Sequence, residues 1–81
     1  MHEVVQMDFE YSDWYRKFGL NVGYYRKDRH FTQEALAERI NADRTTIGKI
    51  ENALVGTSLD MLFRIADALE VEPYKLLEFR D

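Results

Sequence analysis

The segment from Arg44 to Asn52, RTTIGKIEN, carries hydrogen-bonding side chains that share one face if the segment is helical. That face consists of Arg44, Thr45, Gly48, Lys49 and Asn52. Ile47 and Ile50 point to the opposite side. An Arg or Lys side chain can donate to the O6 and N7 atoms of guanine, while Thr can hydrogen-bond a base or touch the thymine methyl group. The segment therefore predicts a helix whose outer face can read base edges.

A second helix directly before this segment is placed to brace it. Thr32 can cap the free amides of that helix. Its apolar stripe consists of Leu36, Ala37 and Ile40. Asn41 tolerates the left-handed conformation of a tight turn, and Asp43 can cap the next helix. Two short helices separated by about three residues have helix-turn-helix geometry, in which the second helix enters the major groove of DNA.

Three further helices complete an all-α fold of five helices. The first follows a cap at Ser12 or Asp13, and its apolar positions are Trp14, Phe18, Val22 and Tyr25. The fourth follows a cap at Ser58, and its inward positions are Leu59, Leu62, Phe63, Ile65, Ala66 and Leu69. The fifth begins at Pro73 and carries Tyr74, Leu76, Leu77 and Phe79. We therefore expect a domain over residues 14–81, preceded by an N-terminal arm over residues 1–13 to which no function is assigned.

Several other kinds of chemistry lack the residues they need. The absence of cysteine excludes disulfides, thiolate metal ligands and a cysteine nucleophile, and His2 and His30 are too far apart for a convincing zinc site. No Ser-His-acid arrangement or Gly-rich phosphate loop is present. We therefore expect no enzymatic activity, no metal, no cofactor and no small-molecule ligand.

The sequence shows neither a membrane-spanning segment nor a signal peptide. No apolar run approaches the ~20 residues that cross a bilayer. The first residues, MHEVVQMDFE, do not have the basic start and apolar stretch of a signal peptide. We expect a cytoplasmic protein that does not contact membranes.

Charge is distributed unevenly along the chain, whose net charge is -4. Residues 1–13 carry four acids and no Lys or Arg, residues 14–57 carry eight basic and five acidic side chains, and residues 58–81 carry three basic and six acidic ones. Phosphate binding depends on Lys and Arg, so a basic middle segment between acidic flanks is expected where one face alone meets nucleic acid.

The segments TQEALAERINADRTTIGKIENA and SLDMLFRIADALEVEPYKLL resemble the Cro and phage-repressor (Xre-type) family of helix-turn-helix domains. The resemblance extends roughly from Phe18 to Leu77, with TQ, LA, TTI and KIEN all in register. It implies a five-helix, lambda-repressor-like domain that binds double-stranded DNA and regulates transcription as a homodimer on a palindromic operator. The chain is also comparable in size to restriction-modification controllers and to antitoxin subunits, which size alone does not separate.

The resemblance implies roles for individual residues. Gln33 matches a glutamine that hydrogen-bonds a phosphate and steadies the recognition helix. The base-reading positions are Arg44, Thr45, Gly48 and Lys49. The phosphate-contacting positions, besides Gln33, are Thr46, Asn52 and Arg26, although Thr46 could equally serve the cap of its own helix. Arg26 and Glu51 match an ion pair that links the first helix to the recognition helix.

Some residues depart from the family pattern. Asn41 and Ala53 stand where glycine is common, and Ala53 predicts that the third helix ends differently or runs longer. Gly48 costs about 0.5–1 kcal/mol inside a helix and either permits close approach of DNA or has no role. The loop over residues 54–57, LVGT, lacks the basic residues that often touch phosphate, so its two apolar residues could instead face a partner.

Aromatic and apolar residues outside the central segment leave two interpretations open. The aromatic residues of the first helix, Trp14, Tyr15, Tyr24 and Tyr25, could stack on nucleobases, but their spacing favours core positions plus one contact to a dimer partner or to the arm. A dimer surface could be formed by Tyr74, Leu77, Phe79 and Trp14, each of which is also a core candidate.

The net charge and the uncharged loop support an alternative function. The chain could be a protein-interaction module, antitoxin-like or an adaptor, that has the helix-turn-helix fold and little or no affinity for DNA. Salt dependence separates the two hypotheses, because binding to DNA weakens steeply as salt rises.

Overall fold

The computed structural model describes residues 4–79 of the chain. Its elements in order are β1 (Val4–Val5), a 3-10 helix (Phe9–Tyr11), α1 (Ser12–Asp28), α2 (Gln33–Arg39), α3 (Arg44–Glu51), β2 (Gly56–Thr57), α4 (Leu59–Leu69) and a second 3-10 helix (Pro73–Leu77). β1 and β2 pair antiparallel, with Val4 opposite Thr57 and Val5 opposite Gly56. His2, considered above as a metal ligand, lies outside the described residues. No helix among residues 4–79 is long and apolar enough to cross a membrane.

Three predicted helix caps are confirmed. The side chain of Thr32 accepts a hydrogen bond from the amide of Ala35 at 3.0 Å, Asp43 accepts from Thr46 at 2.8 Å, and Ser58 accepts from Met61 at 3.1 Å. Each bond satisfies an amide that has no partner within its helix. These caps fix where α2, α3 and α4 begin.

The predicted cap of α1 was wrong. The helix begins at Ser12, and Tyr11 occupies the cap position without a side-chain hydrogen bond. The preceding 3-10 helix, itself capped by Asp8 on the amide of Glu10, runs directly into α1 and takes the place of a cap. Asp13 instead bonds Arg16 at 2.8 Å, and this hydrogen bond lowers the pKa of the Asp13 carboxyl.

All four α-helices end in the same way, although none of them ends in glycine. The residue that takes a positive φ is His30 after α1, Asn41 after α2, Ala53 after α3 and Glu70 after α4. The next amide then bonds the carbonyl five residues earlier, as in Leu54 to Lys49 at 2.8 Å. The expectation for Asn41 is confirmed. The expectation that α3 ends differently or runs longer at Ala53 was wrong, because Ala53 itself adopts φ 58° and ends the helix as the other three end.

Replacing Ala53 with glycine should raise the free energy of unfolding by about 0.5–1 kcal/mol. A left-handed alanine is strained by roughly 1–2 kcal/mol, part of which is offset by the greater freedom of glycine in the unfolded chain. Urea denaturation measures the change. Ala42→Gly is the control, since Ala42 is outside the set of positive-φ residues and should lose stability instead. A destabilised Ala53→Gly variant would contradict this account of the helix end.

A single core joins the four α-helices to the second 3-10 helix. Its buried members are Phe18, Val22, Leu36, Ala37, Ile40, Ile47, Ile50, Met61, Leu62, Ile65, Ala66, Leu69 and Leu76. The inward orientation predicted for Ile47 and Ile50 is confirmed. Both α2 and α3 contribute buried side chains to this core, so close packing holds the two helices together as one unit.

Several residues expected in the core are exposed. In α4, Leu59 and Phe63 are 64% and 49% exposed, and Met61 occupies an inward position that the prediction omitted. Phe63 lies two residues from both Met61 and Ile65, so it points away from the buried stripe. Leu59 and Trp14 lie in the first turns of their helices, and Trp14 is 56% exposed.

The predicted fifth α-helix is instead the short 3-10 helix Pro73–Leu77. Pro73 is at its start as predicted, but the backbone becomes extended at Glu78. A segment this short gains too few i to i+4 hydrogen bonds to form a stable α-helix, and it is held mainly by burial of Leu76. Tyr74 and Leu77 are exposed, so they do not belong to the core.

Candidate nucleic-acid interface

The centre of the molecule is a pair of packed helices, α2 and α3, joined by residues 40–43. Asn41 turns the chain with φ 58°, and Asp43 caps α3 two residues later. Ile47 and Ile50 anchor α3 to the core with almost no exposed surface. This is the helix-turn-helix geometry that the sequence predicts.

The opposite side of α3 faces solvent. It consists of Arg44, Thr45, Gly48, Lys49 and Asn52, which we call the outer face of α3. All of them are exposed except Gly48, which is half-buried, and Thr46 beside them is half-buried as well. Arg44 and Lys49 form no ion pair with any residue among 4–79. Their charges are therefore available to an external acceptor.

A buried polar network ties α3 to the rest of the protein. Arg26 in α1 donates through Nε to Glu51 Oε2 at 2.6 Å and through Nη2 to Glu51 Oε1 at 3.1 Å. Each side chain of this pair is only 10% exposed. Gln33 at the start of α2 donates to Glu51 Oε1 at 3.0 Å. One carboxylate therefore links three helices, and the two-pronged geometry fixes the position of α3.

The predicted phosphate-binding residues fall in two groups. Thr46 and Asn52 lie at the two ends of α3 on its accessible side. Arg26 is buried, and its third nitrogen, Nη1, donates to the carbonyl of Phe31 at 2.8 Å. Gln33 is half-buried and held by Glu51. Arg26 and Gln33 are thus engaged inside the protein before any ligand is present.

Two glycines that the sequence analysis did not single out let α1 approach this network. A Cβ atom at Gly19 would lie 2.5 Å from the carbonyl oxygen of Glu51 and 2.6 Å from that of Ile50. At Gly23 it would lie 3.4 Å from Glu51 Oε1, which is ordinary contact. The available signal was the spacing: two glycines four residues apart inside a helix lie on one face, where a neighbouring backbone can come close.

Gly19→Ala should lower the free energy of unfolding by about 1–3 kcal/mol, because the methyl group meets backbone atoms that cannot move aside. The higher helix propensity of alanine, ~1 kcal/mol, is too small to compensate fully. Urea denaturation of Gly19→Ala and Gly23→Ala makes a matched comparison within one helix. Gly23→Ala should be neutral or stabilising, and equal effects at the two positions would contradict the close approach of α1 and α3.

The model of the helix-turn-helix family HTH_3 matches residues 22–76, which include all of α2, α3 and α4. The chain belongs to the HTH_3 family. As a member it is a helix-turn-helix protein of the DNA-binding, transcription-regulating class. No curated protein matches the chain in sequence.

Solved structures support the HTH_3 assignment. The restriction-modification controller protein C.AhdI from Aeromonas hydrophila is 30% identical with a TM-score of 0.80, over 83% of this chain and 97% of that one. A single-residue variant of the restriction-modification controller C.Esp1396I is 31% identical with a TM-score of 0.73, over 80% of this chain and 82% of that one. The hypothetical transcription factor NHTF from Neisseria shares the fold at 23% identity and a TM-score of 0.79, over 96% of this chain and 91% of that one.

The HTH_3 domain also has an apolar surface away from α3, which we call the aromatic groove. It has a volume of about 360 Å³ and lies between the first 3-10 helix, the starts of α1 and α4, and the C-terminal residues. Its protruding members are Tyr11, Trp14, Leu59 and Leu77. The ring of Trp14 packs against that of Phe79 in a tilted arrangement, with centroids 5.7 Å apart. The remaining aromatic pair of α1, Tyr24 and Tyr25, meets edge to face at 5.0 Å.

The loop after α3 is partly folded into the protein. Leu54 is exposed, whereas Val55 packs against the core and Gly56 and Thr57 form β2. One apolar side chain of this loop, rather than two, is therefore exposed.

Proposed function

We propose that this HTH_3 protein is a sequence-specific regulator that reads the major groove with α3 and binds a palindromic operator as a homodimer. The observation that carries the proposal is the outer face of α3. It bears two cations that have no ion-pair partner among residues 4–79, on a short helix whose other side is fixed to the core and to Arg26 through Glu51. A rigid helix that carries cations suits base recognition, because the helix is already ordered and loses little conformational entropy on binding. We place the protein in the cytoplasm, where it meets DNA.

The outer face of α3 suggests a division of labour in base recognition. Arg44 lies in the first turn, which meets base edges in helix-turn-helix complexes, and Lys49 lies about one turn further along. Both can donate to guanine O6 and N7, while Thr45 can bond a base or touch a thymine methyl group. Gly48 between them has no side chain, which permits a close approach of the helix to the bases.

Phosphate contacts are assigned to the ends of the same helix. Thr46 and Asn52 are placed to bond backbone phosphates and so to set the register of α3 in the groove. For Arg26 we propose a positioning role, since its three nitrogens already donate to Glu51 and Phe31.

A second copy of the chain is the occupant that we propose for the aromatic groove. The described part of the chain measures 30 × 29 × 18 Å, so the centres of two adjoining copies lie on the order of one molecular width apart. Successive major-groove half-sites are separated by about 34–36 Å. A small domain also gains buried apolar surface by pairing. An isologous interface places the same apolar side chains of both copies against each other.

Leu59→Glu should convert the dimer to a monomer, since the introduced carboxylate would lie within the apolar contact. Analytical ultracentrifugation measures the change. The matched control is Leu20→Glu, because Leu20 is similarly exposed at 59% but lies outside the aromatic groove. A Leu59→Glu variant that remains dimeric, or a wild-type protein that is monomeric at high concentration, would show that the groove is not the dimer interface.

Protein interaction without DNA binding remains the second candidate function, and the aromatic groove together with the net charge of -4 favours it. Salt titration distinguishes the two. A labelled duplex of mixed sequence is titrated with protein at ~50 and ~200 mM salt. Contact with about four phosphates predicts a loss of affinity on the order of 100-fold over this range. Absence of binding at low salt, or binding that does not respond to salt, would favour the protein-interaction function.

A further inference from the structure

We infer that Asn21 is a positioning residue for the homodimer. It holds the C-terminal wall of the aromatic groove, residues 76–79, in the position that the second copy of the chain contacts. The inference rests on the proposed dimer and deepens it by naming a residue that sets the dimer affinity. Asn21 does not itself line the groove, so it acts through the segment that it holds.

The side chain of Asn21 is a buried amide in the middle of α1, with only 8% of its surface exposed. Its nitrogen, Nδ2, donates to the carbonyl of Leu76 at 3.0 Å and to the carbonyl of Glu78 at 3.2 Å. An amide nitrogen carries two N–H donors, so these two bonds use both of them. One side chain therefore joins α1 to backbone that lies 55 and 57 positions further along the chain.

The two hydrogen bonds hold the wall on both sides of its apolar anchor. Leu76 is fully buried and fixes the start of the wall, but the backbone becomes extended at Glu78, after the 3-10 helix has ended. The carbonyl of Glu78 belongs to the planar peptide unit that leads into Phe79. The bond from Asn21 to this carbonyl therefore fixes the backbone from which the Phe79 side chain projects.

The held segment supplies apolar side chains to the groove. Leu77 is 49% exposed, and the ring of Phe79 packs against that of Trp14 with centroids 5.7 Å apart. Without the Asn21 amide, two carbonyls lose their donor, and the cost of an unpaired buried carbonyl is relieved if the wall moves towards water. In an isologous dimer this displacement occurs in both copies and so counts twice. The dimer affinity should therefore depend on Asn21.

The test compares Asn21→Leu with Arg29→Met. Leucine is similar in size to asparagine and favours the helix, but it has no donor. Arg29 is the matched control, because it also donates to two backbone carbonyls, those of Leu69 at 2.7 Å and Glu70 at 3.2 Å, outside the groove. Urea denaturation shows at which temperature both variants are folded, and analytical ultracentrifugation then measures the dimer affinity. Asn21→Leu should weaken the dimer on the order of 10-fold, and Arg29→Met should change it much less.

Trp14 reports on the wall separately from dimerisation, since it is the single tryptophan of the chain. Its fluorescence is measured at a protein concentration low enough for all variants to be monomeric. Acrylamide should quench it more strongly in Asn21→Leu than in the wild type, because Phe79 no longer covers the indole ring. Arg29→Met should leave the quenching unchanged. A general loss of stability would affect both variants alike.

Phe79→Ala provides a second background that removes the end of the wall without changing Asn21. If Asn21 acts by placing Phe79, adding Asn21→Leu to Phe79→Ala should weaken the dimer little further. Unchanged dimer affinity and quenching in Asn21→Leu, or equal effects of Arg29→Met, would show that Asn21 serves stability alone. The inference would then be wrong while the dimer proposal stands. A wild-type protein that is monomeric at high concentration would overturn the dimer proposal and the inference together.

Discussion

Arg26→Ala and Glu51→Ala should each lower the free energy of unfolding by about 3–5 kcal/mol, the range for removal of one partner from a buried ion pair. Each variant leaves the other charge buried, because both side chains are only 10% exposed. Glu51→Ala also removes the acceptor of Gln33. Urea denaturation of the two single variants and the double variant measures the coupling between them.

The double variant should lose clearly less than the sum of the single losses, since no uncompensated charge remains. Arg16→Ala is the matched control: it breaks the exposed pair with Asp13 at 2.8 Å and should cost less than about 1 kcal/mol. Simple additivity of Arg26→Ala and Glu51→Ala would mean that the pair does not link α1 to α3. The same conclusion would follow if Arg26→Ala and Glu51→Ala lowered the free energy of unfolding no more than Arg16→Ala does.

The double variant Arg44→Ala/Lys49→Ala should bind the selected operator on the order of 10²- to 10⁴-fold more weakly than the wild type. A good bidentate contact contributes about 1–3 kcal/mol of base discrimination, and the variant loses two such donors. Its stability should change little because both side chains are exposed and lack ion pairs among the described residues. Fluorescence anisotropy with a labelled operator measures the affinity, and urea denaturation measures the stability.

A charge-matched control separates recognition from general electrostatics. Arg16→Ala/Lys75→Ala removes the same net charge from positions outside the helix-turn-helix, each of which pairs with a neighbouring acid. If long-range attraction to DNA alone accounts for binding, the two double variants should lose similar amounts of operator affinity. Base recognition by α3 predicts a loss that is confined mainly to Arg44→Ala/Lys49→Ala.

Local signals in the sequence were sufficient to predict the helix-turn-helix. Thr32, Asp43 and Ser58 cap their helices through contacts within three residues, so their type and position carry the information. Asn41 indicates a left-handed turn for a similarly local reason. Ala53 shows the limit of that rule, since it takes a positive φ that alanine rarely adopts.

Features that depend on tertiary contacts could not be predicted in this way. The pairing of β1 with β2 joins residues more than fifty positions apart, and two-residue strands carry no periodic pattern. Leu59, Phe63 and Trp14 have core-like side chains, and only the extent of the packed core shows that they are exposed. Pro73 correctly predicted where a helical segment begins. It did not indicate that the segment is a 3-10 helix.

In the candidate site too, some features follow from local sequence signals and others depend on tertiary contacts. Placement of Arg44, Thr45 and Lys49 on one face follows from helical periodicity alone. The engagement of Gln33 by Glu51 and the close approach of α1 at Gly19 depend on how three helices meet, which no single segment encodes. Sequence reasoning therefore predicted which residues share the outer face of α3, while the structure was needed to show what holds that helix in place.

Selection from a pool of random duplexes tests the central claim most directly. Wild-type protein and Arg44→Ala/Lys49→Ala are each incubated with the pool at two salt concentrations, and the bound sequences are recovered. The proposal predicts that the wild type enriches a palindromic sequence, more weakly at high salt, and that the variant does not. Failure of the wild type to enrich any sequence at either salt concentration would contradict the claim that α3 reads DNA.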